Sequence, residues 1–316
     1  MPGKKILLTG CAGFIGRHLL ERLLAEGHAV RGIDDFSTGD RGRLAALGKD
    51  FDLIEGDLGD PAKAAAAVRG RELVIHLASR PSVPRSLAHP RESALASVLA
   101  TVTLLEAAAR AGAARVVQAA SSSAYGDSPV FPRRESAPPR PLSPYAAAKL
   151  AQEAYAAAFF RCRGLDSVSL RYFNVFGPGQ NPAGPYAAVI ARFIGLMAAG
   201  RRPEIYGDGG QTRDFTYVAD VVEANLAAAL HPRPLEGEVV NVGSGRRHSL
   251  RELIDLLNDI LGTSLEPVCL PARPGDVRDS LAEVEKARRL FGFEAATPFR
   301  RGLELTVAAR LRENRF

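Results

Sequence analysis

Three glycines spaced three residues apart follow a short apolar run near the N-terminus. Gly10, Gly13 and Gly16 come directly after the run Lys5 to Thr9, and an amphipathic helical pattern begins among them. The spacing differs from the common Gly-x-Gly-x-x-Gly form. It meets the same need for a tight turn, backbone access to a pyrophosphate and close helix packing. Glycines alone also fit a plain strand-to-helix connection, but the context favours a phosphate-binding loop at a helix N-terminus.

An acidic residue stands where such a loop needs one. Asp34 ends the second strand pattern, 24 residues after Gly10, where a carboxylate accepts hydrogen bonds from ribose hydroxyls and repels a 2′-phosphate. The neighbouring Asp35 is assigned to the same site. The alternative is a solvated turn, since residues 34–39 are rich in turn formers. Position and charge together favour NAD over NADP.

The first half of the chain alternates short apolar runs with longer helical patterns. This order predicts an α/β fold with a doubly wound parallel sheet, the Rossmann type. The predicted strands are Lys5–Thr9, Ala29–Asp34, Phe51–Glu55, Leu73–Leu77, Arg115–Ala120 and Ser167–Tyr172. The predicted helices are Gly13–Ala25, Ala62–Val68, Arg91–Ala111 and Pro144–Arg163.

The pattern changes after Asn174, where glycine and proline become frequent. Residues 1–174 are predicted to form the dinucleotide-binding domain, with a segment near 212–248 that returns to it through a strand at Val239–Val242. Residues 175–211 and 249–316 are predicted to form a smaller, interleaved α/β substrate domain. Helical patterns in this half lie near Ala187–Ala199, Asp220–Leu230, Leu250–Leu261 and the C-terminus.

Composition excludes several classes of function. The net charge is +6, but the arginines are scattered and form no long basic run, so nucleic-acid binding is not expected. Cys11, Cys162 and Cys269 are odd in number and far apart, which predicts reduced thiols and a cytoplasmic location. The six histidines show no ligand spacing, so no metal is expected. No apolar run approaches the ~20 residues of a membrane span, and no signal sequence is evident.

Tyr145 and Lys149 lie four residues apart in a helical pattern, so their side chains share one helix face. Such a pair is common by chance. Upstream, Ser121, Ser122 and Ser123 follow an apolar strand pattern, which places hydroxyl groups at the carboxyl edge of the sheet. Ligands of doubly wound folds bind at this edge. A catalytic site built on these residues is therefore predicted.

The order of the glycine loop, ribose acid, serines and Tyr-x-x-x-Lys resembles that of the extended short-chain dehydrogenases. The resemblance runs along almost the whole chain. Short segments are similar to those of UDP-glucose and UDP-N-acetylglucosamine 4-epimerases: Asp35 to Gly39, Gly56 to Leu58, His76 to Ala78, Ser143 to Tyr145, Arg171 to Asn174 and Arg213 to Phe215.

The resemblance implies a role for each matching residue. Tyr145 would be the base that takes the proton of the sugar 4-hydroxyl, Ser121 would relay that proton, and Lys149 would favour the phenolate and hold the nicotinamide ribose. Further NAD contacts are implied at Phe14, Ile15, Asp57, Leu58, Ala78 and Tyr172. The long helices Arg91–Ala111 and Pro144–Arg163 resemble those that form a four-helix homodimer interface.

The reaction is implied by the two positions after Ser121. Dehydratases of the family carry Asp-Glu there, and decarboxylases carry Glu at the second position, whereas this chain has Ser122 and Ser123. Without a carboxylate to drive elimination, the expected reaction is epimerisation at C4 through a transient 4-keto sugar. A decarboxylase, a dehydratase or an NAD-binding protein without turnover is the less favoured alternative.

The UDP-sugar contacts are also implied by matching position. Arg213 and Arg273 would pair with the phosphates, Asn174 would contact the diphosphate, and Asp276 would bind the uridine ribose. Ile205 and Tyr206 would bracket the uracil. Ser82, Ser122 and Ser123 would face the sugar, and Ser280 would leave room for an N-acetyl group at C2.

UDP-glucuronate is the alternative substrate. Arg85 and Arg192 would reach its carboxylate in that case. Against it, Asn174 and Asn181 stand where glucuronate epimerases place Thr and Arg.

Overall fold

The computed structural model describes residues 3–45, 47, 51–182, 188–271 and 277–313. A parallel seven-stranded sheet forms the centre of the molecule, with the order β11-β6-β5-β4-β1-β2-β3. The strands in the described ranges are β1 Lys5–Thr9, β2 Ala29–Asp34, β3 Asp52–Glu55, β4 Leu73–His76, β5 Arg115–Ser121, β6 Ser167–Tyr172, β7 Val175–Phe176, β8 Glu204–Tyr206, β9 Thr212–Arg213, β10 Thr216–Tyr217, β11 Glu238–Val242, β12 His248–Ser249 and β13 Val268–Leu270.

Helices cover both faces of this sheet. The α-helices are α1 Phe14–Ala25, α2 Arg41–Ala45, α3 Pro61–Val68, α4 Val83–Ala88, α5 Pro90–Ala94, α6 Ala100–Ala111, α7 Pro144–Arg163, α8 Val189–Ala198, α9 Val218–Ala229, α10 Leu250–Leu261, α11 Glu285–Phe291 and α12 Phe299–Glu313. The predicted doubly wound α/β fold is confirmed, and the predicted strands of the first half agree with the structure to within one or two residues at each end.

The central strands are buried because helices exclude water from both faces of a parallel sheet. All four residues of β4 and all six of β6 are buried. One face packs against α1 and α9 through a core that includes Leu8, Leu20 and Val221. The other face packs against α3 and α6 through Leu7, Leu104 and their neighbours.

The chain reverses its direction across the sheet between β1 and β4. From β1 it runs outward to β2 and β3, and it then returns to the other side of β1 for β4, β5 and β6. A crevice opens at such a reversal, outside the carboxyl ends of the strands. The glycines after β1 and the residues after β4 border this crevice.

The predicted uninterrupted helix Arg91–Ala111 needs correction. Between α5 and α6 the chain forms a π-helix at Leu95–Leu99. The buried Ser97 hydroxyl lies 3.2 Å from the Ser79 hydroxyl, and the Ser97 carbonyl accepts hydrogen bonds from Gln152 and Thr101. These side-chain partners satisfy backbone groups at the point where the helical ladder changes, as is common for π-helical turns.

The expectation that no segment approaches a membrane span is also wrong by length and composition. The composite helix Pro90–Ala111 has 22 residues, and its most apolar window has a mean hydropathy of 1.4. Leu104, Leu105 and Ala108 of this helix are fully buried against the sheet. A buried core helix has the same composition as a spanning one, so the feature alone is weak evidence for a membrane.

A second apolar core lies among α8, α10 and α12. Phe193, Leu253 and Leu303 are fully buried there, together with Phe176 of β7. Between α8 and α10 the chain returns to the main sheet, where β11 pairs with β6 and Val240 lies opposite Leu170. The predicted return of Val239–Val242 to the main sheet is therefore observed.

A buried cation ties four parts of the chain together at the amino ends of β5 and β6. Arg115, 7% exposed, donates through Nε to Asp166 Oδ2 at 2.6 Å and through its other nitrogens to the carbonyls of Ala228, His231 and Arg233. The second Asp166 oxygen accepts the backbone N–H groups of residues 235 and 236. The network fixes the end of α9 and the loop before β11 against the sheet.

Replacement of Arg115 by Met should destabilise the fold. The change leaves Asp166 as a buried charge without its cation, and loss of one partner of a buried pair costs about 3–5 kcal/mol. Arg110→Met is the matched control, because that side chain is 80% exposed and its ion pair with Glu106 is long at 3.7 Å. Urea unfolding of both variants checks this prediction. A change below about 1 kcal/mol for Arg115→Met would show that the network contributes little.

Candidate active site

A cavity of about 800 Å³ follows the carboxyl ends of the parallel strands. Its walls come from the turns after β1, β2, β3, β4, β5 and β6 and from the start of α7. Because the sheet is parallel, all of these strand ends meet at one edge. The structure therefore brings residues from 10 to 280 of the sequence into one site.

The glycine loop forms one wall of the cavity, and its geometry requires glycine. Gly10 has φ of +69°, and a Cβ on it would lie 2.8 Å from the backbone nitrogen of Ala78. A Cβ on Gly16 would lie 2.0 Å from the Gly10 carbonyl oxygen. Gly13 caps α1 without a side-chain hydrogen bond. The first N–H groups of α1, which include those of Phe14 and Ile15, therefore face the cavity wall as an anion site.

Asp34 is held in place by the same loop. Its carboxylate, 8% exposed, accepts the N–H of Ala12 at 2.9 Å and the N–H of Phe36 at 2.9 Å. Burial raises the pKa of Asp34, and the two backbone hydrogen bonds oppose that rise. The side chain lines the cavity, and among the described residues each of its oxygens accepts a single hydrogen bond, so each keeps a second lone pair for a ligand such as a ribose hydroxyl.

The other residues predicted to contact the cofactor also line the cavity. They are Asp35, Asp57, Leu58, Ala78 and Tyr172. The Tyr172 hydroxyl is already bonded to Asn225 of α9 at 2.9 Å, so the side of its ring, and not its hydroxyl, faces the site.

Tyr145 lies at the start of α7, where local capping sets its position. Ser143 caps the helix by accepting the N–H of Ala146 at 3.2 Å, and Pro144 occupies the first turn. The N–H of Tyr145 donates to the Ser86 hydroxyl at 3.1 Å. Burial raises the pKa of Tyr145, and a hydrogen bond with Ser121 acts in the opposite direction.

Lys149 lies one turn further along the same face of α7. It is 3% exposed, and its Nζ donates to the Ala119 carbonyl at 2.8 Å. Burial lowers the pKa of Lys149 to about 8, while the charge of Glu153 works against that shift. Glu153 is itself neutralised by Arg171 at 2.7 Å. Because this pKa of about 8 lies just above neutral pH, Lys149 is mostly protonated there.

The serines stand at the end of β5. Ser121 is the last residue of the strand, and its Oγ accepts the backbone N–H of Ser123 at 3.2 Å and the Ser123 hydroxyl at 2.9 Å. This arrangement starts a short 3₁₀-helix over Ser122–Tyr125. Ser121 is hydrogen-bonded to Tyr145, Lys149 follows one turn later on the same helix, and all three line the cavity. Their catalytic roles stay predictions.

His76 is a structural residue. It is 2% exposed and hydrogen-bonds Thr9 at 2.8 Å and Thr101 at 2.9 Å. Burial, with a smaller contribution from Lys149, lowers its pKa to about 3. The ring is neutral at working pH and positions Thr9, whose hydroxyl accepts the N–H of Ala78 at the cavity wall.

Most of the predicted substrate residues line the same cavity. They are Ser82, Arg85, Ser122, Ser123, Asn174, Arg213 and Ser280. Arg213 donates to the carbonyls of Thr212 and Arg278 at 2.8 and 2.9 Å. Arg85 pairs with Glu92 at 3.3 Å near the surface, with 42% of its side chain exposed.

Three predicted substrate residues lie elsewhere in the described structure. Ile205 is 1% exposed in the second core. Arg192 donates to the Glu204 carbonyl at 2.8 Å and lies 6.0 Å from the Tyr206 ring. None of the three lines the cavity, so their predicted contacts with uracil or a sugar carboxylate stay predictions. Arg273 and Asp276 lie outside the described residues.

Two charged cavity residues were not predicted from the sequence. Arg80 comes two residues after Ala78, and its guanidinium lies 3.8 Å from Asp35 and 3.7 Å from Glu92. Arg133 comes from the long loop between β5 and α7, and its backbone N–H donates to the Leu281 carbonyl at 2.8 Å. Arg133 and Leu281 are far apart in the sequence, so no local sequence pattern predicts their contact. For Arg80, the end of β4 was the available clue.

Carboxylates occupy only one end of the cavity. Among its described lining residues, the acids are Asp34, Asp35 and Asp57, which follow β2 and β3. β1 and β4 separate β2 from β5, so the ends of β2 and β5 lie roughly 14 Å apart at a strand spacing of about 4.8 Å, and Asp57, after β3, lies one strand further from the serines. In the part of the chain that the structure describes, no three His, Cys, Asp or Glu residues are placed to hold a metal.

Comparison with known proteins gives consistent matches. Residues 6–243 match the model of the NAD dependent epimerase/dehydratase family. The chain is 39% identical to a UDP-glucose 4-epimerase of Mycolicibacterium smegmatis over 308 residues, 96% of this chain and 97% of that protein.

Two solved structures show the same fold. A UDP-N-acetylglucosamine 4-epimerase of Methanobrevibacter ruminantium, in complex with UDP-N-acetylmuramic acid, is 35% identical with a TM-score of 0.94, over 99% of this chain and 100% of that one. A UDP-glucuronic acid 4-epimerase of Bacillus cereus, in complex with UDP-glucuronic acid and NAD, is 31% identical with a TM-score of 0.91, over 98% and 99%. The chain belongs to the NAD dependent epimerase/dehydratase family.

Proposed function

We propose that the protein is an NAD-dependent isomerase that interconverts UDP-hexoses at C4, of the UDP-glucose/UDP-galactose type, with or without an N-acetyl group at C2. One observation carries the proposal. Ser121, Tyr145 and Lys149 all line an end of the cavity where the described lining residues include no carboxylate, and Ser121 is hydrogen-bonded to Tyr145. Proton transfer at a hydroxyl is supported there, whereas elimination of water would need a further acid or base.

The cavity fits NAD at its other end. The backbone around Gly10 and Gly16 leaves no space for a Cβ, and α1 begins without a side-chain cap. The Asp34 carboxylate lines the cavity wall and can accept further hydrogen bonds. These features suit a pyrophosphate and an unphosphorylated adenosine ribose. When bound, NAD supplies the two-electron acceptor and donor that transient oxidation at C4 requires.

The protein residues handle the proton. Tyr145 accepts the proton of the 4-hydroxyl, and Ser121, already hydrogen-bonded to Tyr145, orients that hydroxyl. Burial alone would keep the phenol neutral, so a nearby cation must favour the phenolate. Lys149 supplies that cation from the next turn of α7, and its bond to Ala119 fixes it in place.

The UDP moiety would lie towards the later part of the chain. Asn174 and Arg213 line this side of the cavity, and we assign the diphosphate to them together with Arg273. The same proposal includes contacts of the uridine with Asp276, Ile205 and Tyr206. It also includes two domains, one formed by residues 1–174 and 212–248 and the other by residues 175–211 and 249–316. The second core of α8, α10 and α12 supports that division.

UDP-glucuronate is the second candidate substrate, because Arg85 lines the cavity. Two features count against UDP-glucuronate: Arg85 is paired with Glu92, and the chain has Asn174 and Asn181. A protein without turnover would lack a reason to keep the Ser121, Tyr145 and Lys149 group. Assay of UDP-glucose, UDP-N-acetylglucosamine and UDP-glucuronate with one preparation ranks these substrates. Absence of turnover with all three would overturn the proposed function.

Free thiols support a cytoplasmic location. Cys11 is buried, and Cys162 and Cys269 are exposed and unpaired. Exposed thiols of this kind persist in a reducing compartment.

Replacement of Tyr145 by Phe should lower kcat by about 100-fold or more, because it deletes only the acid-base oxygen. Ser121→Ala should cost less, since water can replace part of its relay. Lys149→Ala should weaken NAD retention as well as turnover.

Tyr155→Phe is the matched control for this series, because Tyr155 lies on the same helix with 43% exposure. Turnover, bound nucleotide and melting temperature are measured on each preparation. Near wild-type epimerisation by Tyr145→Phe would show that the phenol is not the base.

The purified protein should contain NAD and not NADP, because the Asp34 carboxylate repels a 2′-phosphate. Acid-released nucleotide is identified by chromatography. Asp34→Ser should reduce the bound NAD and the discrimination against NADP. NADP as the main released nucleotide would contradict the assignment of Asp34.

We also propose a homodimer of two-fold symmetry formed through the helices at residues 90–111 and 144–163. Leu95 and Leu99 of the π-helix are exposed by 43% and 50%, as apolar interface residues are in an isolated chain.

Light scattering should therefore give about twice the 33.7 kDa mass of one chain. Leu99→Lys should shift the mass towards the monomer, since it places a charge in the apolar contact. Leu53→Lys is the control, because Leu53 is 40% exposed on the edge strand β3, away from these helices. A monomeric wild-type protein at micromolar concentration would exclude this interface.

A further inference from the structure

A second cavity of about 590 Å³ adjoins the active-site cavity. Arg133 and Val277 line both cavities, so these two residues form the boundary between them. The remaining walls of this side cavity come from the loop between β5 and α7, from Arg247 and from residues 278 and 279.

Arg133 is a fixed and buried cation at that boundary. It is 7% exposed, and its Nη1 donates to the carbonyls of Ser128 and Val130. Its backbone is anchored on both sides, to the Leu281 carbonyl and to the Asn241 amide. The side chain is therefore oriented before any ligand arrives, which lowers the entropy cost of binding.

The charge of Arg133 has no carboxylate partner within 4.0 Å in the described part of the chain. The charges of Asp127 and Asp279 act on Arg133 and oppose the lowering of its pKa, but each acid has its own nearer partner. Asp127 pairs with Arg140 at 3.1 Å, and Asp279 accepts the Thr212 hydroxyl at 2.5 Å. Burial lowers the pKa of Arg133, which reflects the cost of removing its charge from water. An anionic ligand group would offset that cost.

The position of Arg133 relates this cation to the sugar. Its backbone pairs with residue 281, next to Ser280, and both Arg133 and Ser280 line the cavity that contains Ser121 and Tyr145. Arg133 thus lines the cavity beside the segment that contains Ser280. Arg247, held 5.5 Å over the Phe131 ring, adds positive charge to the side cavity.

We propose that Arg133 selects UDP-hexoses whose ring bears an extended carboxylate substituent, which it binds at the entrance to the side cavity. The inference rests on the proposed function, because it assumes that a UDP-hexose occupies the main cavity. Arg85 is the less suitable cation for this role, since it is exposed and paired with Glu92.

A pair of matched ligands tests the inference by binding alone. UDP-N-acetylmuramic acid differs from UDP-N-acetylglucosamine by a lactyl ether that ends in a carboxylate. Calorimetry on the NAD-loaded protein should show that the lactyl sugar binds more tightly by about tenfold or more, the effect of one charge-assisted hydrogen-bonded pair. Equal affinities, or tighter binding of the neutral sugar, would overturn the proposal without any variant.

The variants locate the preference at Arg133. Arg133→Met should abolish it, whereas Arg133→Lys, which keeps the charge and a donor, should retain part of it. Arg246→Met is the matched control, because Arg246 is exposed beside Arg247 and lines neither cavity. A preference that survives Arg133→Met also overturns the proposal.

Failure of the proposed function has a different signature. In that case both sugars bind, with or without the preference, and neither they nor UDP-glucose is epimerised. If Arg133→Met does not fold, as judged by its melting curve, the wild-type comparison and Arg133→Lys decide the question.

Discussion

The close approach of the glycine turn to its neighbours is the constraint on which the rest of the site depends. A Cβ at position 16 would overlap the Gly10 carbonyl, and a Cβ at position 10 would overlap the backbone at Ala78. Only this approach lets α1 begin at the sheet edge. The same turn presents the N–H of Ala12 to Asp34, so one piece of backbone sets both the proposed phosphate site and the proposed ribose site.

A second set of interactions adjusts charge at the other end of the cavity. Lys149 is buried on α7, and its neighbour Glu153 is buried with Arg171 of β6. Desolvation disfavours the ammonium group and Glu153 favours it, so the pKa of Lys149 settles near 8. The bidentate pair of Glu153 and Arg171 also fixes α7 to the sheet. The packing of α7 and the pKa of Lys149 therefore depend on the same residues.

Sequence patterns predict what is encoded locally. Strands β1, β2 and β6 coincide with apolar runs of the sequence, and the Tyr145 to Lys149 spacing places both side chains on one helix face. The cation at Arg115, the π-helix at Leu95–Leu99 and the cavity position of Arg133 depend on partners 50 to 150 residues away. No periodicity reports such contacts. The resemblance to known epimerases, and not a local pattern, supplies the predicted diphosphate and uridine contacts, and these stay predictions; Arg192, Ile205 and Tyr206 do not line the described cavity.

The separation of the acids from the serines has an evolutionary consequence. Ser122 and Ser123 lie on a one-turn 3₁₀-helix that follows β5, and the cofactor acids lie across β4 and β1 from it. A mutation that introduces a carboxylate at either serine would leave the glycine turn and Asp34 untouched. A change of sugar chemistry at this edge of the sheet would therefore need only a few codons, and it would leave the dinucleotide half of the protein unchanged.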